Sequence, residues 1–167
     1  MRTKALCLLG FRNASEQYRR ALPAGGMTMV FPATDEIYAA MKAHDLNSGI
    51  EAREESSVLH VGINAEKTSF EALYISRSEK NDVALRIYNI IKFPPDKLDA
   101  MLECVNAANL RFRFLKFTVD EQNDSVDAAY DFTIAGEGVG ESAYELLMRS
   151  AGIIDDCYPA FMDVLKG

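Results

Sequence analysis

The chain is poor in the side chains that most often carry chemistry. Its 167 residues hold three cysteines, Cys7, Cys104 and Cys157, and two histidines, His44 and His60. An odd number of cysteines without a CxxC pair does not make a disulfide framework; it fits a reduced, cytoplasmic protein. So few His and Cys residues leave little material for a closed zinc site, and no metal or other cofactor is expected. No apolar run approaches the ~18 residues of a membrane span, so no membrane partner is expected. The net charge is −7, which opposes nonspecific binding to nucleic acid phosphates.

What is present is an ordinary globular composition, 49% apolar and 26% charged, at a length that suits one domain with one core. The charge is uneven. Residues 1–26 hold five basic residues (Arg2, Lys4, Arg12, Arg19 and Arg20) against Glu16, a balance of +4, so the remainder carries −11 of the net −7. This head reads as a targeting segment, an exposed arm, or a non-structural extension ahead of a start near Met27 or Met29. The third reading is favoured, because the periodic pattern begins only after Pro32. The expected organisation is a weakly ordered 1–26 followed by a single domain over 27–167.

Thr34 reads as an N-cap followed by the acidic first turn Asp35-Glu36, with a helix running to Asn47-Ser48-Gly49. Three strand-like runs follow, Val58–Asn64, Ser69–Arg77 and Asp82–Phe93, with short polar turns between them. Loops this short favour an antiparallel meander. Pro94-Pro95-Asp96 ends the third run and opens a helix to about Leu110, whose Leu98, Met101, Leu102 and Val105 form a stripe that should face the sheet. Two further runs, Phe112–Asp120 and Ser125–Ile134, form a hairpin around the turn Asp120–Asp124. A capping-box pattern, Ser142-x-x-Glu145, opens a last helix, and Pro159 should break or kink its tail. The prediction is an α+β domain: an antiparallel sheet of about five strands with helices, in the order α-β-β-β-α-β-β-α.

The segment LDAMLECVNAANLRFRFLKFTVDEQNDSVDAAYDF is similar to the signature region of the YbjN-like family, bacterial proteins labelled sensory transduction regulators. There a helix ends in an Asn-rich stretch, here Asn106 and Asn109, and a strand close to "RFgKF" follows, here Arg113–Phe117. An acidic turn and a strand close to "RYDL" come next, here Ala129-Tyr130-Asp131-Phe132. Leu115 stands where glycine is usual, and Ala129 where arginine is common. The resemblance covers about residues 34–166. It implies a type III secretion chaperone-like fold and a non-enzymatic adaptor or regulator that binds protein, as a homodimer.

The candidate chemical motifs are incomplete. Gly136-Glu137-Gly138-Val139-Gly140 lies between a strand and a helix, but the dinucleotide fingerprint would need Gly at the position of Glu141, and no Lys-Ser/Thr follows. Asp120, Asp124 and Asp127 approach a calcium loop, but Gln122, Ser125 and Asp131 occupy positions that need other residues. His60 alternates with Leu59 and Val61, without a nucleophile or orienting carboxylate at recognisable spacing, and His44 lies on a helix flank. Cys104 reads as a packing residue, and Cys157 has nothing basic beside it. No catalytic residue is expected. A small-ligand or nucleotide-sensing module is the alternative, supported only by the glycine linker.

One feature points toward function. A sheet covered on one side needs one apolar face, yet Asp82–Phe93 has apolar residues on both, and so has the run from Phe112 to Val119. Tyr88, Ile90, Phe112 and Phe114 do not fit a single covered face and are the candidate protein-interaction residues. The competing explanation is that a helix, the head or a strand bulge covers them.

Overall fold

Pro32 opens the first helix, α1 (Pro32–Ala43), because its locked φ suits a first helical position, where its missing N–H has no helical partner to lose. In this computed structural model, which describes residues 28–80, 82–133 and 137–167, the helix thus starts two residues ahead of Thr34. Thr34 is therefore not the cap: it is buried, with its hydroxyl 2.7 Å from that of Ser57. The expectations for 1–26 lie outside the described residues. The helix also ends early. Asp45 adopts a left-handed φ of 58°, and the Leu46 and Asp45 amides donate to the Met41 and Lys42 carbonyls at 2.9 and 3.1 Å. This is Schellman-type closure, and it releases the residues beyond it to extend as a strand.

Six strands follow: β1 (Ser48–Ala52), β2 (Ser57–Asn64), β3 (Ser69–Ser76), β4 (Asp82–Lys92), β5 (Lys116–Asp120) and β6 (Ser125–Thr133). A 3-10 turn at Pro95–Lys97 and helix α2 (Leu98–Arg111) separate β4 from β5, and α3 (Val139–Lys166) follows β6. All pairings are antiparallel, in the order β1-β2-β3-β4-β6-β5. The fold is α+β, with β1 as the strand the sequence pattern does not announce. Its Ser48-Gly49 start reads as a turn, and its pairing partner Ser57–Val61 lies beyond a polar loop.

Cross-strand register places Leu59, Tyr74, Leu85 and Tyr130 in one row, and Val61, Ala72, Ile87, Ala128 and Phe117 in the next. Helix α3 packs on this face. The buried Tyr74 hydroxyl donates to the Ala143 carbonyl at 2.7 Å, and Phe161 meets Phe117 edge-on at 5.3 Å between centroids. The other face carries the row His60, Leu73, Arg86, Ala129 and Lys116.

The apolar residues on both sides of β4 have a local cause. Between Ile87↔Ala128 and Ile91↔Val126, three β4 residues stand opposite Asp127 alone. Asn89, at φ 54°, makes this bulge, and its amide donates to Asp127 Oδ1 at 2.8 Å. Ser125 Oγ donates to the same oxygen. The bulge shifts the strand's phase, so Ile90 and Ile91 are both buried while Tyr88 and Asn89 are exposed.

Two helical expectations need correction. Leu102 is not buried: it is 41% exposed, while Met101, Val105 and Ala108 form the inward stripe. Helix α2 packs against the edge strand β5 and against α3, so a narrow i, i+4, i+7 stripe suffices. Helix α3 starts a turn ahead of Ser142, capped by Gly138 at φ 95°, and runs through Pro159 to Lys166. Proline removes the helical N–H that the Asp155 carbonyl would accept, and Lys67 Nζ donates to that carbonyl instead, at 3.1 Å. The Asp155 carboxylate meanwhile accepts the Glu66 and Lys67 amides at 2.7 and 2.9 Å, fastening the β2–β3 turn to α3.

The start of α3 presses against α1. A Cβ on Gly140 would lie 2.6 Å from the Glu36 carbonyl oxygen. The Glu36 carboxylate accepts the Gly138 and Gly140 amides at 3.1 and 3.3 Å, and His44 stacks on Tyr144 at 3.5 Å.

A cross-strand clamp holds β1. Arg53 binds both oxygens of Glu51 at 2.8 and 2.9 Å, His60 Nε2 lies 3.1 Å from Glu51, and His60 Nδ1 lies 3.3 Å from Glu71. The Arg53 hydrogen bond outweighs burial and, with His60, draws the Glu51 pKa down to about 2. Burial opposes charge on His60, but Glu71 and Glu51 outweigh it and raise its pKa above the ordinary value.

These contacts lead to three expectations. Gly140→Ala should cost about 1–3 kcal/mol in chemical denaturation, because the clash is with backbone. Met101→Ala should cost about 2–5 kcal/mol, whereas Leu102→Ala should stay within about 0.5 kcal/mol; comparable losses would place the inward stripe wrongly. The raised His60 pKa stabilises the fold fully below the unfolded value near 6.5, and this contribution disappears as pH rises through the folded pKa. The melting-temperature advantage of wild type over His60→Gln should therefore shrink from mildly acidic to alkaline pH. An advantage that grows with pH would contradict the assignment.

Candidate interaction surface

The corner where α2 hands over to β5 is built by two polar side chains, Lys116 and Asn109. The last carbonyls of a helix lack partners and carry partial negative charge. Lys116 Nζ donates to the Asn109 and Phe112 carbonyls at 2.9 and 2.7 Å. The Asn109 amide then pairs with both backbone groups of Phe117: it accepts the Phe117 N–H at 2.8 Å and donates to its carbonyl at 2.9 Å. One Asn of the signature stretch thus does the work of a neighbouring strand along the exposed side of β5. Leu115 is buried in the core.

Only Lys116–Asp120 is strand, so Phe112 and Phe114 sit in the connection rather than in the sheet. Phe112 is partly buried against the core, with the Arg111 guanidinium 4.9 Å over its ring. Phe114 is 38% exposed and meets Tyr130 edge-on at 6.1 Å. Two guanidinium groups lie over its ring, Arg149 from α3 at 5.3 Å and Arg113 at 5.9 Å. Behind it the ring contacts continue from Tyr130 to Phe132 and on to the fully buried Tyr74.

The four candidate residues therefore occupy different settings. Phe112 and Phe114 come together at this corner. Tyr88 stands on the β4 bulge, 48% exposed. Ile90 lies in the core, so a role for it at a surface would require the core to open. Arg149, Arg113 and Tyr130 join the corner without being among the sequence-based interaction candidates. The alternation Arg111-Phe112-Arg113-Phe114 was a visible signal for arginine–aromatic stacking, but Arg149 joins it only through the fold.

The other candidates resolve into structural roles. At the glycine linker, whose Gly136 lies outside the described residues, the Gly138 and Gly140 amides already bind Glu36 where an anionic ligand would sit. Asp120 accepts the amides of Gln122 and Asn123 as the turn's own cap, and Asp127 serves the bulge. His44 pairs with Glu141 at 3.0 Å. His60, expected to lack orienting carboxylates, has one from each neighbouring strand, both invisible to local spacing. Burial pushes the Cys157 thiol up to about 11, despite the nearby Arg111, and burial likewise raises Cys104. A cleft of about 420 Å³ opens at the ends of β3, β4 and β6, lined by Ile75, Arg77, Asp82, Arg86, Asp131 and Phe132. Arg86 there is engaged by Asp131.

Among the described residues no helix is long and apolar enough to cross a membrane. No curated protein and no solved structure matches the chain. Residues 33–162, most of the chain, match the YbjN family, whose description is "Putative bacterial sensory transduction regulator". That description names a regulator rather than an enzyme, and the matched span runs from α1 through the arginine–phenylalanine corner and most of α3; the chain belongs to the YbjN family.

Proposed function

We propose that the chain is a non-catalytic regulator of bacterial type that acts by binding protein, as a chaperone-like adaptor and as a cytoplasmic homodimer. The observation that carries this reading is the exposure of two large aromatics, Tyr88 and Phe114, on rigid supports: a bulge held by Asp127 and a corner held by Asn109 and Lys116. A fully exposed aromatic buries roughly 150–250 Å², and Tyr88 and Phe114, 48% and 38% exposed, still hold about half of that or less to remove from solvent. A pair of them is enough to anchor a modest interface. The family description agrees with a regulatory role.

A second reading, a small-ligand or nucleotide-sensing module, is favoured only by the cleft between Arg77, Arg86, Asp82 and Asp131. Thermal-shift measurements with nucleotides separate the two readings. Stabilisation that is lost in Arg77→Ala would favour the second.

The test of the main reading is Tyr88→Glu combined with Phe114→Glu, followed by light scattering and partner capture. The double variant should keep the circular dichroism of the wild type and lose self-association or capture. Unfolding would make these side chains core. A folded variant that associates normally would move the interface to the helices.

A further inference from the structure

The two exposed aromatics differ in electrostatic setting. Arg113 and Arg149 lie over Phe114, both exposed, and among the described residues neither has a carboxylate partner. Arg111, 65% exposed, adds a third guanidinium beside Phe112, with Asp156 only at 3.9 Å. Three arginines thus gather at one corner of a chain whose net charge is −7. A guanidinium stacked on a ring keeps its edge N–H donors free, and that edge matches a carboxylate in a bidentate manner. The corner therefore presents the exposed Phe114 ring against the half-buried Tyr130, beside two guanidinium groups, Arg113 and Arg149, that have no carboxylate partner among the described residues.

This charge pattern also limits who can bind. A two-fold self-interface centred on Phe114 would set each copy's arginines against those of the other, an unfavourable like-charge contact. A nucleic acid would meet the same donors, but the acidic remainder of the surface repels an extended polyanion. A short peptide segment avoids both penalties.

We propose that the Arg113–Phe114–Arg149 corner is a docking site for an acidic segment of a partner protein, one that seats an apolar side chain on Phe114 and Tyr130 and aligns Asp or Glu carboxylates with the two guanidinium groups. This rests on the protein-binding reading above and names the partner's chemistry. Self-association is left to the Tyr88 side of the molecule.

Fluorescence anisotropy with three short labelled peptides tests it on the full chain. The peptides share the same Leu and Phe residues and differ only in the spacer residue, which is Glu, Gln or Lys. The Glu peptide should bind at least about tenfold more tightly than the Gln peptide, and added salt should weaken it. Arg113→Glu with Arg149→Glu should reverse the preference toward the Lys peptide. Phe114→Ala should weaken the Glu peptide while keeping the order of preference. Melting curves check that each variant is folded, and the milder Arg149→Gln carries the charge test if the double variant is not. Equal binding of Glu and Gln peptides, or Glu-peptide binding indifferent to the arginine variants, overturns the proposal. So does tighter binding of single-stranded DNA with the same arginine dependence. If no peptide binds while Tyr88→Glu with Phe114→Glu still abolishes self-association, the acidic-partner proposal falls and the protein-binding reading stands.

Discussion

The contact on which the rest of the structure depends is the one between α1 and the first turn of α3. Gly140 has no side chain, and that lets the two backbones meet where a Cβ would strike the Glu36 carbonyl. The same Glu36 closes the N-terminus of α3 with its carboxylate, placing negative charge at the positive end of a 28-residue helix. Steric and electrostatic terms therefore select the same crossing. With that end held, α3 is aimed along the sheet: Ala143 reaches the Tyr74 hydroxyl, and Phe161, several turns later, reaches Phe117. Asp155 fastens the middle to the β2–β3 turn, and Lys67 serves the carbonyl that Pro159 leaves without a helical donor.

The position of α3 decides what the corner beyond α2 can be. Arg149 lies on α3 between Leu147 and Ser150, both buried, so its Cα is fixed by packing and its long side chain reaches out over Phe114. The ring is held from below by Tyr130 and from the side by a chain reversal that Lys116 and Asn109 close. Few degrees of freedom remain to be lost when something binds there. Ordering costs subtract directly from affinity, so a pre-ordered aromatic is a better anchor than a mobile one.

The bulge in β4 has the complementary role. An uninterrupted strand would have turned Tyr88 and Ile90 to the same side. Asn89 in left-handed conformation, with its amide on a buried Asp127, instead sends Ile90 into the core and leaves Tyr88 in water. The apolar surplus of that strand is thus divided between packing and surface by one hydrogen-bonded irregularity. The bulge accounts for the burial of Ile90, while Tyr88 and Phe114 remain exposed.

By itself the sequence determined the features that depend on local periodicity. Alternation defined β2, β3, β4 and β6 within a residue or two, Pro94-Pro95 marked the start of α2, and the Asn-rich helix followed by two short strands identified the family. Tertiary structure decided whatever depends on residues far apart in the chain. β1 exists because β2 pairs with it and His60 joins it to β3, although its own residues read as a turn. The inward phase of α2 follows from a narrow contact with β5 and α3, which leaves Leu102 in water. The glycine linker is an incomplete phosphate-loop pattern in sequence, and only the fold shows that its amides serve Glu36, a hundred residues earlier. Period is a property of a segment, whereas phase, register and partnership are properties of what the segment packs against, and the charge setting of Phe114 belongs to the second kind.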